Sequence, residues 1–134
     1  VAWRAPEATL CLGTALARHG LSDEIPAVID VALPRGRRLP VARAPVCWHR
    51  FDPDTFEIGR EDLAVAGLSM GIYSAQRSIC DAFRLRHEIG KDVALEALQT
   101  HLRRRPRRNI NSLLSTARKT GAYEVMRPYV EALV

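Results

Sequence analysis

The 134 residues are 47% hydrophobic and carry a net charge of +5. A chain of this length buries roughly two-thirds of its unfolded surface, enough for one globular domain over residues 1–134 without staples. No run of 18 apolar residues occurs, which argues against a membrane-spanning helix and a membrane partner, and Pro6-Glu7 stands where a signal peptide would need a basic segment.

In chain order, Pro6-Glu7 suits the first turn of a helix that continues through Leu10, Leu12, Ala15, Leu16 and Ala17 to a stop at Gly20. After the Ser22-Asp23-Glu24 turn, Ile25 to Leu33 reads as a strand with Ile29, Val31 and Leu33 on one face. Residues 35–45 form a Pro- and Arg-rich loop, and a second strand runs over about Val46 to Phe51. Glu61 to Ala66 and Leu68 to Tyr73, split by Gly67, predict a hairpin. Helices follow at about 75–88, 92–103, 110–120 and 122–133. Ser74 caps the first, Gly90 and Gly121 act as stops, and Pro128 lies inside the last. Strands and helices are segregated, so the fold class is α+β: an N-terminal helix, a small mixed sheet of about four strands and a helical C-terminal half.

Little in the chain carries chemistry. Cys11, Cys47 and Cys80 are an odd number at wide spacing, which fits buried core thiols in a reducing cytoplasm better than a disulfide frame. On a strand, Cys47 and His49 share a face, but two ligands do not make a metal site, and none is expected. No nucleophile elbow or glycine-rich phosphate loop occurs. A metal-dependent nuclease would need Asp30 with a nearby Glu, yet no Glu-x-Lys follows on a later strand. No cofactor and no catalytic residue are assigned, and an enzyme is not expected. On the 75–88 helix, Arg77, Asp81 and Arg84 lie on one side and form an ion-pair cluster. That cluster either holds the helix to the sheet or offers a partner-binding face. The apolar positions Ile79, Cys80, Phe83, Ala94, Leu95, Leu98 and Leu102 read as the seam between two helices.

Charge is segregated along the chain. Arg35, Arg37, Arg38, Arg43 and Arg50 fill a stretch from Asp30 to Asp52 with no acid between; Arg103, Arg104, Arg105, Arg107, Arg108, Arg118 and Lys119 fill another from Glu96 to Glu124. The two hold 12 of the 20 basic residues. Arg35, Arg37, Arg38 and the 103–108 run are therefore candidate nucleic-acid contacts. The plainer reading of the 103–108 run is a helix C-terminus running into a solvated linker around Pro106. Cations there are favoured by the helix dipole, and the run has no aromatic residue for base stacking.

Several pieces, in order, resemble one known family. They are Arg4-Ala5-Pro6, His19-Gly20-Leu21-Ser22-Asp23-Glu24-Ile25-Pro26, Leu33-Pro34-Arg35-Gly36, Tyr73-Ser74, Asp81-Ala82-Phe83, Gly90-Lys91-Asp92-Val93-Ala94-Leu95-Glu96-Ala97-Leu98 and Val125-Met126-Arg127-Pro128-Tyr129. Together they resemble the C-terminal domain of the AbiEi antitoxins of bacterial abortive-infection (type IV) toxin–antitoxin systems. The resemblance implies an α/β antitoxin domain with no catalytic residues, countering a nucleotidyltransferase-type toxin. It also implies a winged-helix module upstream that binds operator DNA for transcriptional autorepression. The chain begins at Val1 rather than Met, which reads as a fragment or a processed product, and the winged-helix module does not lie within it.

Overall fold

In the computed structural model, residues 6–40, 45–65, 68–104 and 110–133 are described. The chain enters through strand β1 (Thr9–Leu10) and turns at once into helix α1 (Leu12–Arg18). Strands β2 (Ile29–Pro34), β3 (Val46–Phe51), β4 (Arg60–Val65) and β5 (Leu68–Tyr73) follow. The helical half comprises α2 (Ala75–Arg84), α3 (Arg86–Ile89), α4 (Lys91–Arg104), α5 (Ile110–Thr120) and α6 (Tyr123–Leu133). The fold is α+β, as the segregation of strands and helices predicts.

The sheet has five strands rather than four, in the order β3-β2-β1-β5-β4. The added strand is Thr9–Leu10, which reads as part of a helix in the sequence. It lies in the middle of the sheet, antiparallel to β2 through Thr9 and Ala32 and parallel to β5 through Thr9 and Gly71. Ladder bonds on both sides outweigh the helical preference of its neighbours, and the helix starts only after Cys11. The turn from strand to helix places Leu12 at φ +46°, the single non-glycine residue with positive φ among the described residues. Full burial of the Leu12 side chain holds it there. Strand β2 starts at Ile29, four residues later than its apolar run suggests; Pro26 has no N–H for a ladder, and Ile25 is 94% exposed.

The predicted 75–88 helix is two helices. Leu85, at φ −107° and ψ 28°, closes α2, and α3 forms one further turn before Gly90 at φ +100°. Ser74 caps α2 as expected, accepting from the Arg77 backbone N–H. Pro128 lies within a continuous α6.

Helix α2 is the centre of the molecule. Every residue from Arg77 to Phe83 is buried. On one side Arg77 lies over the rings of Phe51 and Tyr73 of the sheet and reaches the carbonyls of Thr55 and Ile58 in the β3–β4 loop. The other sides meet Leu16 of α1, Leu98 and Leu102 of α4, Leu113 and Ala117 of α5, and Met126 of α6. The seam read from the sequence forms, with Ala97 added to it and Leu95 left out of it. Buried Arg77, Ser78 and Asp81 depend on partners inside the protein; all find them except Arg77 Nη2, which has no hydrogen-bond partner among the described residues.

Candidate functional site

The first site expectation concerns Arg77, Asp81 and Arg84. They do form one network. Arg77 Nε donates to both carboxylate oxygens of Asp81 at 3.0 Å, and Arg84 Nη2 reaches Asp81 Oδ1 at 2.7 Å. Arg77 Nη1 donates to the carbonyls of Thr55, at 2.6 Å, and Ile58, at 2.8 Å, while its guanidinium lies 4.2 Å from the centroid of the Tyr73 ring. The network therefore ties α2 to the loop between β3 and β4. A partner-binding role for Arg77 and Asp81 is corrected by their burial, since neither exposes any side-chain surface; Arg84 alone of the three is partly exposed, at 29%. Spacing shows that the charges meet, but the seat that encloses Arg77 comes from the β3–β4 loop and the rings of Phe51 and Tyr73.

The arginine-rich segments look different in space. Arg37 Nε pairs with Glu7 at 2.7 Å and Arg35 lies 3.6 Å from Asp52. The fold thus brings carboxylates to a stretch that has none in sequence. Arg38 and Arg50 remain exposed, without an ion pair to another described residue. Arg103 is exposed and donates to Thr100, whereas Arg104 donates to the carbonyls of His19 and Gly20, fastening the end of α4 to the end of α1. Arg43, Arg105, Arg107 and Arg108 lie outside the described residues.

Two clefts flank the central helix. One, of about 330 Å³, is bordered by His19, Glu61, Gln76, His101 and Arg104 beside the start of α2. The other, of about 440 Å³, opens along the edge strand β3 between Trp48, His49 and Arg50 on the sheet and Arg84, Leu85 and Glu88 on the helices.

At that same edge the register of two parallel strands makes a grouping that spacing in the sequence does not disclose. Asp30 of β2 pairs with Cys47 of β3, and His49 follows two residues on. His49 Nε2 lies 2.9 Å from Asp30 Oδ1, and a donor atom of each of Asp30, Cys47 and His49 falls within 4.8 Å of the others. Gly13, at the start of α1, leaves space for the carboxylate, since a Cβ there would stand 3.3 Å from Asp30 Oδ2. Cys47 is exposed, contrary to the buried thiol that its apolar neighbours suggest, because β3 is an edge strand. Partial burial, then the carboxylates of Asp30 and Glu88, hold its thiol above the ordinary pKa. Cys11 and Cys80 are buried core thiols as expected. Burial raises both, Cys80 to about 12. The nuclease alternative needed a Glu beside Asp30; the groups that join Asp30 here are an imidazole and a thiol.

Fold and geometry together define a mixed α+β protein with a structural ionic core, a partly basic cleft at one sheet edge, and no helix long and apolar enough to cross a membrane among the described residues. Compared with protein-family models and with curated proteins, the sequence gives no match.

Proposed function

We propose that residues 1–134 are a non-enzymatic antitoxin domain of the AbiEi kind, acting in the bacterial cytoplasm against a nucleotidyltransferase-type toxin. Within a longer protein it takes part in transcriptional autorepression. The observation that carries this reading is where the resembling pieces meet. Phe83 of Asp81-Ala82-Phe83 packs at a tilt of 43° against Tyr129 of Val125-Met126-Arg127-Pro128-Tyr129, with 5.4 Å between ring centroids, and Lys91 of Gly90-Lys91-Asp92 lies 5.4 Å from the centroid of the same ring. Tyr73 donates from its hydroxyl to the Phe56 carbonyl at 2.7 Å, and Ser74 caps the helix that carries Phe83. Pieces distant in the chain converge on one helix and its seat, so the pattern describes a scaffold, which supports action through its surface.

The surface we favour for the toxin is the β3 edge. An edge strand offers unpaired backbone groups, and Trp48 and Arg50 beside the cleft are residue types that concentrate binding energy at protein interfaces. Co-purification with the toxin tests it. Wild-type chain is expected to elute with toxin as one complex, and Arg50→Glu to weaken that complex at least tenfold while leaving the circular dichroism unchanged. A complex indifferent to Arg50→Glu would move the interface elsewhere. A second reading, nucleic-acid contact through the arginine-rich segments 35–50 and 103–108, rests on the exposure of Arg38, Arg50 and Arg103. It predicts affinity for DNA or RNA that drops steeply with added salt. Binding insensitive to salt contradicts it.

A further inference from the structure

We propose that Asp30, Cys47 and His49 form a three-ligand site for a divalent transition-metal ion, with zinc the best fit and the fourth position open to water. The donor set is carboxylate oxygen, thiolate sulfur and imidazole nitrogen, a borderline mixture that suits zinc and disfavours magnesium or calcium. Zinc bonds of about 2.0–2.3 Å place tetrahedral ligands about 3.3–3.6 Å apart. The three donors already lie within 4.8 Å of one another, and the thiol that must move sits exposed on an edge strand. Two ligands come from adjacent parallel strands in direct register, and the third is two residues along the same face, so the backbone fixes their spacing.

The surroundings favour a cation. His49 and Glu88 line the cleft of about 440 Å³, so solvent reaches the site from the His49 side. On binding, the Cys47 thiol loses its proton to solvent, the His49 ring proton that faces Asp30 passes to Nδ1 through solvent, and Asp30 and His49 exchange their hydrogen bond for bonds to the metal. Asp30 and His49 are half-buried at 21% and 16% side-chain exposure, so both are partly ordered before the metal arrives. The competing account is a plain Asp30–His49 hydrogen bond beside an uninvolved thiol.

Cobalt(II) and zinc titrations of the full 134-residue chain separate the two. The site predicts one equivalent of cobalt with a thiolate-to-metal charge-transfer band and intense tetrahedral d–d bands, displaced by zinc. It also predicts that zinc slows alkylation of Cys47 by iodoacetamide at least tenfold. Cys47→Ser, Asp30→Asn and His49→Gln should each weaken zinc binding at least tenfold. Cys47 is exposed, so its serine variant keeps the fold even if the other two disturb it. A cobalt spectrum without the thiolate band, or unchanged zinc affinity in Cys47→Ser, overturns the proposal.

Discussion

Replacing Arg77 by Met would leave Asp81 buried with Arg84 as its remaining cation, and would strip the Thr55 and Ile58 carbonyls of their donor. Breaking a buried charge pair from one side costs about 3–5 kcal/mol, a large share of the ~5–15 kcal/mol that holds a typical domain. We expect Arg77→Met to shift urea unfolding by that amount, and Arg84→Ala, whose side chain is 29% exposed, by about 1–2 kcal/mol. Gly59 guards the same network. At φ +74° its absent Cβ would stand 2.7 Å from Arg77 Cβ and 3.0 Å from Ser74 Oγ, both close to the backbone and unable to swing away. Gly121 has a similar φ of +82° but open space around it. Thermal melts should therefore separate the two alanine variants: Gly121→Ala loses about 1 kcal/mol for its left-handed backbone, and Gly59→Ala loses about 1–3 kcal/mol more from overpacking. Equal losses would mean that the loop yields freely around Arg77. At this scale the 77/81/84 pairing was legible from helical spacing. The indispensability of Gly59 was not, because only the fold brings that loop onto α2.

Helix α6 carries an internal flaw. Pro128 is exposed and cannot donate to the helical carbonyl four residues back, so it brings no burial to offset the missing bond. Pro128→Ala is expected to stabilise the protein by about 1–2 kcal/mol in urea titration, the helical gain exceeding what is lost by loosening the unfolded chain. A destabilised Pro128→Ala would show that the fixed φ of Pro128 is needed to seat Met126 and Tyr129. Elements with a clear period and a cap were legible: β3 and α5 fall where their residues predict, and α2 begins at its Ser74 cap. Thr9–Leu10 was not, since two residues of strand carry no period and owe their state to β2 and β5 on either side. The split at Leu85 was equally hidden. Nothing in Phe83-Arg84-Leu85-Arg86 breaks a helix, and the break shows only in the backbone, at Leu85.

Across the whole molecule, burial sets the response to alkaline pH. Cys80 has its pKa raised by burial from the ordinary 9.0 to about 12, and Cys11 and Tyr73 are raised for the same reason. A raised folded-state value leaves stability intact below the unfolded pKa. Above about 9 the unfolded chain releases thiol protons that the folded chain retains, so stability falls as pH rises towards the folded values. Urea midpoints should be flat from about pH 7 to 8.5 and decline beyond, with a shallower decline in Cys80→Ala than in the parent; a rise above pH 9 would contradict the burial of these groups.

The same scale explains what the sequence could and could not say about sites. Arginine segregation is visible in one dimension, but Glu7 and Asp52 reach Arg37 and Arg35 only through the fold. Cys47 and His49 are visible as a pair, whereas Asp30 joins them through the parallel β2–β3 register, which local pattern does not determine. The antitoxin reading stands on order along the chain and convergence in space. Its most direct test is growth of bacteria co-expressing residues 1–134 with a candidate nucleotidyltransferase-type toxin, using Arg77→Met as the destabilised control. The account predicts that the wild-type chain restores growth and co-purifies with the toxin, and that the control does neither. Continued toxicity in the presence of soluble, folded wild-type chain would contradict it.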